Sequence, residues 1–333
     1  MSRRSAVAIL ATLSDHYAKV EIVIVNTVAD LEVVAAHPPD LVFLGMKFVP
    51  DDRASVVGLD GKLWLTDYLD EHGIAYTGSC QTAHELELNK PLAKQRALEA
   101  GLATSKFYVI PPHQLPDRTN TSLTFPVFIK PANRGGGLGI DSNSVAFNID
   151  ELRAKVQSIT QKLRSDALVE EYLPGREFSV AILRDEYSPE LRAMPVELIA
   201  QPDQRGIRML SGRVKAANAE QVRPVTDQPI RARVTSLALK VFQVLGARDY
   251  GRIDIRLDSQ GVPHFLEANL IPSLISGYGS FPKACELNQH LGYGPMIRRI
   301  ARLGLERAPQ RLEDTLAPGA ISQLPPVLSY RHR

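Results

Sequence analysis

Cysteine is nearly absent from this 333-residue chain. Cys80 and Cys285 are its only two, too few for a disulfide framework and without the paired spacing of a zinc site. They read as buried free thiols. A surplus of one charge is also missing, since 39 Lys and Arg face 37 Asp and Glu for a net charge of +2. That balance lacks the basic excess of a nucleic-acid-binding protein, so any anion site must be local. Long hydrophobic runs are absent as well. The apolar stretch after Met1-Ser2-Arg3-Arg4-Ser5 turns polar at Ser14, Asp15 and His16, too soon for a signal-peptide core or a membrane span. The expectation is a cytoplasmic protein that engages neither nucleic acid nor membrane. What is present, 44% hydrophobic and 23% charged residues, is the composition of a globular chain of two or three domains.

Short β-branched runs at residues 6–10, 20–25 and 41–46 have the look of buried parallel strands. A helix follows at residues 63–72, stopped by Gly73, and a short strand at residues 74–76 closes at Thr77-Gly78-Ser79. The next helix spans residues 91–100, between Pro91 and Gly101. From residue 106 the pattern becomes β-rich, with strands at 106–110, 126–130, 167–173 and 177–183 and one helix at 150–163. A third section carries a long helix at 230–245, strands at 252–257 and 264–268, and helices at 282–290 and 295–305. The organisation is an N-terminal α/β domain (1–105), a middle α+β domain (106–192), a C-terminal domain (193–307) and a proline-rich tail (308–333).

Three segments can carry chemistry. In Phe128-Ile129-Lys130-Pro131-Ala132-Asn133-Arg134-Gly135-Gly136-Gly137-Leu138-Gly139, a strand ends in a lysine beside a loop whose backbone N–H groups can approach a polyphosphate. A plain glycine turn is the alternative. In Arg252-Ile253-Asp254 and Leu266-Glu267-Ala268-Asn269, alternation puts Arg252 with Asp254, and Glu267 with Asn269, on one face of each strand. Paired as a hairpin, they converge three oxygen ligands suited to Mg²⁺ beside an arginine able to stabilise an oxyanion. A solvated hairpin face is the alternative. In Val169-Glu170-Glu171-Tyr172-Leu173-Pro174-Gly175-Arg176-Glu177, a strand edge can meet a nucleotide base and a carboxylate its ribose, although such a segment is also an ordinary charged hairpin. His16 and His84 are candidate proton carriers, set against the commoner role of a packed or surface histidine.

In this order the segments resemble the ATP-grasp enzymes, and within them the D-alanine–D-alanine ligase family, over roughly residues 60–305. The resemblance implies a three-domain architecture of α/β and α+β type, with ATP between the middle and C-terminal domains. By it, Lys90, Lys130 and the Gly135, Gly136, Gly137 loop attend the nucleotide phosphates. Glu170, Glu171, Tyr172 and Leu173 form the adenine hinge, with the backbone of Glu171 and Leu173 toward the base, and Glu177 takes the ribose. Lys215 reaches the γ-phosphate from a mobile loop. Asp254, Glu267 and Asn269 bind two magnesium ions, with manganese as a substitute, and Arg252 steadies the acyl phosphate. The implied activity is amide-bond formation between a carboxylate and an amine, in a homodimer.

The resemblance is incomplete at the substrate positions. The family's Gly-Gly-x-Ser-x-Glu segment, whose glutamate holds an ammonium group, aligns with Leu10-Ala11-Thr12-Leu13-Ser14-Asp15-His16, and its supporting serine and tyrosine with Gly136 and Ala216. The family's His-Gly-x-x-Gly-Glu-Asp-Gly segment gives way to the stretch beginning Gly45-Met46-Lys47. Ser273, Ser276 and Tyr278, after the metal positions, are the candidate substrate contacts. Three readings follow: an amino-acid ligase on a substrate outside the cell wall, a D-alanine–D-alanine ligase of peptidoglycan synthesis, and a non-catalytic nucleotide-binding regulator.

Overall fold

The computed structural model describes residues 1–50, 61–112, 114–116, 123–210 and 220–308. Lys215, Ala216 and residues 309–333 of the proline-rich tail lie outside the described residues.

The chain begins with α1 (Arg3–Ser14), capped by the Ser2 hydroxyl, which accepts a hydrogen bond from the Ser5 amide. The strand expected at residues 6–10 is therefore helical. Ile9 and Leu13, four apart, are its buried apolar pair, and a five-residue run is too short to separate a helical from a strand period. Residues 20–25 form no ladder, and Ile24 is 75% exposed. Residues 41–46 contribute one parallel bridge, Val42 to Tyr76, which is also all that forms of the strand expected at 74–76. Extended residues become a strand only where a neighbouring backbone answers their N–H and C=O groups.

Next come α2 (Val28–Ala36), with a Thr27–Asp30 capping box, and a small hairpin of β1 (Phe48–Pro50) and β2 (Lys62–Trp64). α3 (Leu65–Glu71) ends at Gly73, whose φ of 62° suits a residue without a Cβ. α4 (Gln81–Leu88) and α5 (Lys90–Glu99) follow, the second capped by the Asn89 side chain.

A four-stranded antiparallel sheet contains β3 (Phe107–Ile110), β4 (Val127–Pro131), β5 (Val145–Ala146) and β6 (Ala167–Glu171), ordered β3-β6-β4-β5. Across it lies α6 (Ile149–Leu163), where Leu152, Val156 and Ile159 form a helical stripe buried against the sheet. The Asn148 side chain caps α6 by accepting from the Asp150 and Glu151 amides, an arrangement that contributes about 1 kcal/mol.

A five-stranded antiparallel sheet holds β7 (Glu177–Arg184), β8 (Leu191–Ile199), β9 (Gln221–Pro224), β10 (Tyr250–Leu257) and β11 (Pro263–Asn269), ordered β11-β10-β7-β8-β9. β7 thus pairs with β10 and β8, although the sequence groups it with the middle segments. One face packs under α7 (Gln228–Val244) through Phe178, Val180, Ile182, Ile253 and Ile255. The other packs under α8 (Ser280–Gln289) and α9 (Tyr293–Leu305) through Ala181, Leu183 and Tyr250. Alternate residues of one strand serve two cores, which is why β7 reads as a nearly continuous apolar run.

The N-terminal elements are tied to this sheet by arginines. Arg248 donates to the Gly78 carbonyl at 2.6 Å, and Arg307 donates to the Tyr76 carbonyl at 2.8 Å and pairs with Asp249. Gly78 is required at that junction, because a Cβ there would stand 2.9 Å from the Tyr250 ring.

Candidate active site

The hairpin of β10 and β11 has the register that alternation demands. Arg252 stands opposite Asn269 and Asp254 opposite Glu267, so all four side chains share a face. Arg252 grips Asp254 with both arms of its guanidinium, Nε to Oδ1 at 2.9 Å and Nη2 to Oδ2 at 2.8 Å. Asp254 also accepts from the Ser179 hydroxyl at 2.9 Å and from Asn269 Nδ2 at 3.2 Å. Burial would lower the Arg252 pKa, but Asp254, with Glu267 and Glu87, outweighs it and holds the guanidinium above its ordinary value. Two carboxylates and an amide oxygen are hard donors, the set that magnesium takes. Asp254, Glu267 and Asn269 therefore fit that cation.

A second charged group lies across the cleft. Glu170, buried in β6, accepts from Lys130 at 2.9 Å, from Lys94 at 2.6 Å and from the Ser105 hydroxyl at 2.8 Å. Burial alone would raise the Glu170 carboxyl, but the two lysines outweigh it and hold it down at about 2. Burial likewise opposes the charge on Lys130, yet Glu170 and Glu267 keep its pKa above the ordinary lysine value. Lys94 is the weaker cation, pushed by burial to about 8. Lys90 is lowered by burial despite Glu267, and its ammonium donates to the Arg134 carbonyl at the start of the glycine loop.

Lys130, Glu170, Glu171, Tyr172, Leu173 and Glu177 line one cleft together with Asp254 and Glu267 from the hairpin. Within the hinge segment, the Glu170 backbone is committed to the sheet opposite Phe107 and Phe128. The Glu171 amide donates to the Lys106 carbonyl at 2.9 Å. Glu177 pairs with Arg256 at 3.1 Å, and that guanidinium lies 5.4 Å from the Tyr172 ring centre. Gly136 and Gly137 have φ of 68° and 76°; Ile140, at the loop's end, reaches the cleft wall. Ser273 lines a separate cavity, which Ser276 and Tyr278 do not border. His84 is fully buried, with Nδ1 3.0 Å from Glu87.

Several residues of this neighbourhood escaped the sequence reading. Lys94 follows Lys90 by four positions on α5, the spacing that puts two side chains on one helix face. Arg256 continues the alternation of Arg252 and Asp254. Ser179 and Ser280, both hydrogen-bonded to the Arg252–Asp254 pair, carry no signal in sequence.

Two antiparallel sheets that jointly line a cleft of Lys130, carboxylates and apolar residues are arranged as in the ATP-grasp fold. A crystal structure of D-alanine–D-alanine ligase from Bacillus anthracis complexed with ATP has the same fold, with a TM-score of 0.70 at 17% identity over 92% of this chain and 94% of that one. A family model described as D-ala D-ala ligase C-terminus matches residues 98–301. The D-alanine–D-alanine ligase of Hydrogenovibrio crunogenus is 30% identical over 262 residues, covering 76% of this chain and 78% of its own length. The ligase of that name from Chlorobaculum tepidum is 29% identical over 269 residues, 75% and 68% of the two chains. The chain belongs to the D-alanine–D-alanine ligase family, as an ATP-dependent ligase. No helix among the described residues is long and apolar enough to cross a membrane.

Proposed function

We propose that this protein joins the carboxylate of one small substrate to the amine of a second through an acyl phosphate, releasing ADP and phosphate. The observation that carries the reading is the β10–β11 register, which aligns Arg252, Asp254, Glu267 and Asn269 on the face that borders the Lys130–Glu170 pair. A carboxylate oxygen attacks the γ-phosphorus of ATP and ADP departs. Lys130, with Lys90 and Lys215, offsets charge on the transferred group. A neutral amine then attacks the acyl carbon, Arg252 stabilises the oxyanion, and phosphate leaves with release of one amine proton. Magnesium held by Asp254, Glu267 and Asn269 supplies charge neutralisation at the phosphoryl group; two ions is the stoichiometry to test, with manganese as a substitute. Glu171 and Leu173 meet the base, and Glu177 the ribose.

D-alanine is the first substrate to test, because the relatives carry its ligation in their names. Its product would be D-alanyl-D-alanine, a peptidoglycan precursor. A different acid–amine pair is the second reading, favoured by α1, which takes in residues 10–14 as helix, and by Gly136 at the aligned serine position. ADP release with a panel of amino acids, coupled to product mass, separates the two. Exclusive turnover of D-alanine supports the first, turnover of another pair the second, and no ADP release from any pair refutes both. Assembly as a homodimer is checked by light scattering.

A further inference from the structure

A cavity of about 450 Å³, separate from the nucleotide cleft, is lined by the segment that follows β11 and by the start of the chain. Ile271, Leu274 and Ile275, from the segment after β11, form an aliphatic wall, and Ser2, Ser5 and Ser273 add hydroxyls. Among the described residues that line it, Lys47 has the only charged side chain, and the Met1 α-ammonium, which donates to the Gly45 carbonyl, is the other cation. The cavity is close to the chemistry, since Ser273 follows Asn269 by four positions and the Lys47 charge acts on Lys90.

Lys47 does not reach the cavity as a loose surface lysine. Its side chain is 19% exposed, and Nζ lies 2.7 Å from Glu87 Oε1. Glu87 is buried in α4, with its other oxygen 3.0 Å from His84 Nδ1. Burial would raise the Glu87 carboxyl, but the His84 hydrogen bond and the Lys47 charge outweigh it, so the group stays ionised. An ionised carboxylate only accepts, so Nδ1 carries the hydrogen and donates it. A buried ion pair is a weak source of stability compared with apolar replacements. What this one accomplishes is to hold an ammonium at a cavity wall, where Glu87 takes one of its three N–H donors. The Glu87 charge is also felt at Arg252, the oxyanion candidate.

We infer that Lys47 reads a substrate carboxylate in this cavity, with Glu87 and His84 as positioning residues; this rests on the ligase reading above. The ligand class is a small aliphatic carboxylate, its charge on Lys47 and the serine hydroxyls and its carbon skeleton along Ile271, Leu274 and Ile275. Two substrates of a ligase present that chemistry: the donor acid before phosphorylation, and an amino-acid acceptor whose carboxylate stays unreacted.

Binding is tested without turnover by the rise in melting temperature that D-alanine, propionate and D-alaninamide produce with ADP and magnesium. In the wild type both carboxylates bind more tightly than the amide. Lys47→Gln weakens the carboxylates on the order of ten- to a hundredfold and leaves the amide unchanged, while Lys47→Arg restores part of the difference. Because Lys47→Gln leaves Glu87 buried without its cation, the double variant Lys47→Gln/Glu87→Gln is measured beside it. Equal stabilisation by acid and amide in the wild type, or an unchanged carboxylate response in all three variants, overturns the proposal. In turnover, D-alaninamide as acceptor keeps the reacting amine and removes the unreacted carboxylate. A KM increase in Lys47→Gln that disappears with this acceptor assigns the acceptor carboxylate, and one that persists assigns the donor. A fall in kcat with KM unchanged for both substrates overturns the assignment. Failure of every pair to release ADP refutes the ligase reading, and the melting-temperature result still decides whether Lys47 binds carboxylates.

Discussion

The β10–β11 hairpin and the extended segment at residues 20–25 are both short apolar runs, yet only the hairpin is a ladder. β10 has a hydrogen-bonded neighbour on each edge, β7 and β11, and its Ile253, Ile255 and Leu257 are buried in the core under α7. Residues 20–25 have no ladder partner, and Ile22, Val23 and Ile24 are exposed. β-branched sequence favours extended backbone, but a strand position is fixed by the neighbours that satisfy its amides and cover its side chains. Chemical groups can be placed to hydrogen-bond accuracy only on the first kind of segment.

Substitutions on laddered strands around the cleft and in residues 20–25 can break that contrast. The largest effect is expected from Glu170→Gln, which strips the shared anion from Lys94 and Lys130 and should cost about 3–5 kcal/mol of stability by denaturant titration. The pH dependence follows from the same carboxyl. Its pKa is depressed from 4.5 to about 2 in the folded chain, so its stabilisation is full above the unfolded value and is lost as pH falls through that window. Melting temperatures between pH 5 and about 2 should fall more steeply in the wild type than in Glu170→Gln. Arg252→Met should lower kcat by about 10²–10³-fold in an ADP-release assay, and an undiminished kcat would remove Arg252 from the oxyanion role. Glu177→Gln should raise the KM for ATP about tenfold with kcat nearly unchanged, and an unaltered KM would dissociate Glu177 from the ribose. Ile24→Ser should change stability by no more than about 0.5 kcal/mol. A loss several times larger would mean that residues 20–25 are as well fixed as the hairpin.

The hairpin was legible because its alternation, its acids and its arginine all point one way. β8 was not. Pro195 interrupts its apolar pattern and argues against a strand with neighbours on both edges. The structure accommodates the proline because β9 pairs only with residues 196–199 of β8, leaving Pro195 beyond the end of that ladder. Glu170 shows a different limit. The sequence places it in the adenine hinge, whereas its side chain lies beneath two lysines from α5 and β4. The Lys94 contact joins residues 76 positions apart, a distance no local pattern spans. Lys47 and Glu87 belong to the same class: each is unremarkable alone, and only the fold brings them within 2.7 Å.

The Lys94 ammonium shares its three N–H donors among four oxygens at 2.6–3.2 Å: the Thr104 and Ser105 hydroxyls just before β3, Glu170 in the four-stranded sheet, and the Phe265 carbonyl in β11 of the five-stranded sheet. The Thr104 hydroxyl donates to the same carbonyl at 2.7 Å. Hydrogen bonds of this length tolerate only a few tenths of an ångström of play. One ammonium group thus acts as a gauge block between the two sheets, setting the gap across which the nucleotide lysine and the metal carboxylates must face each other. A shorter or uncharged side chain at that position would change the calibration of the cleft without touching any group that meets the substrates.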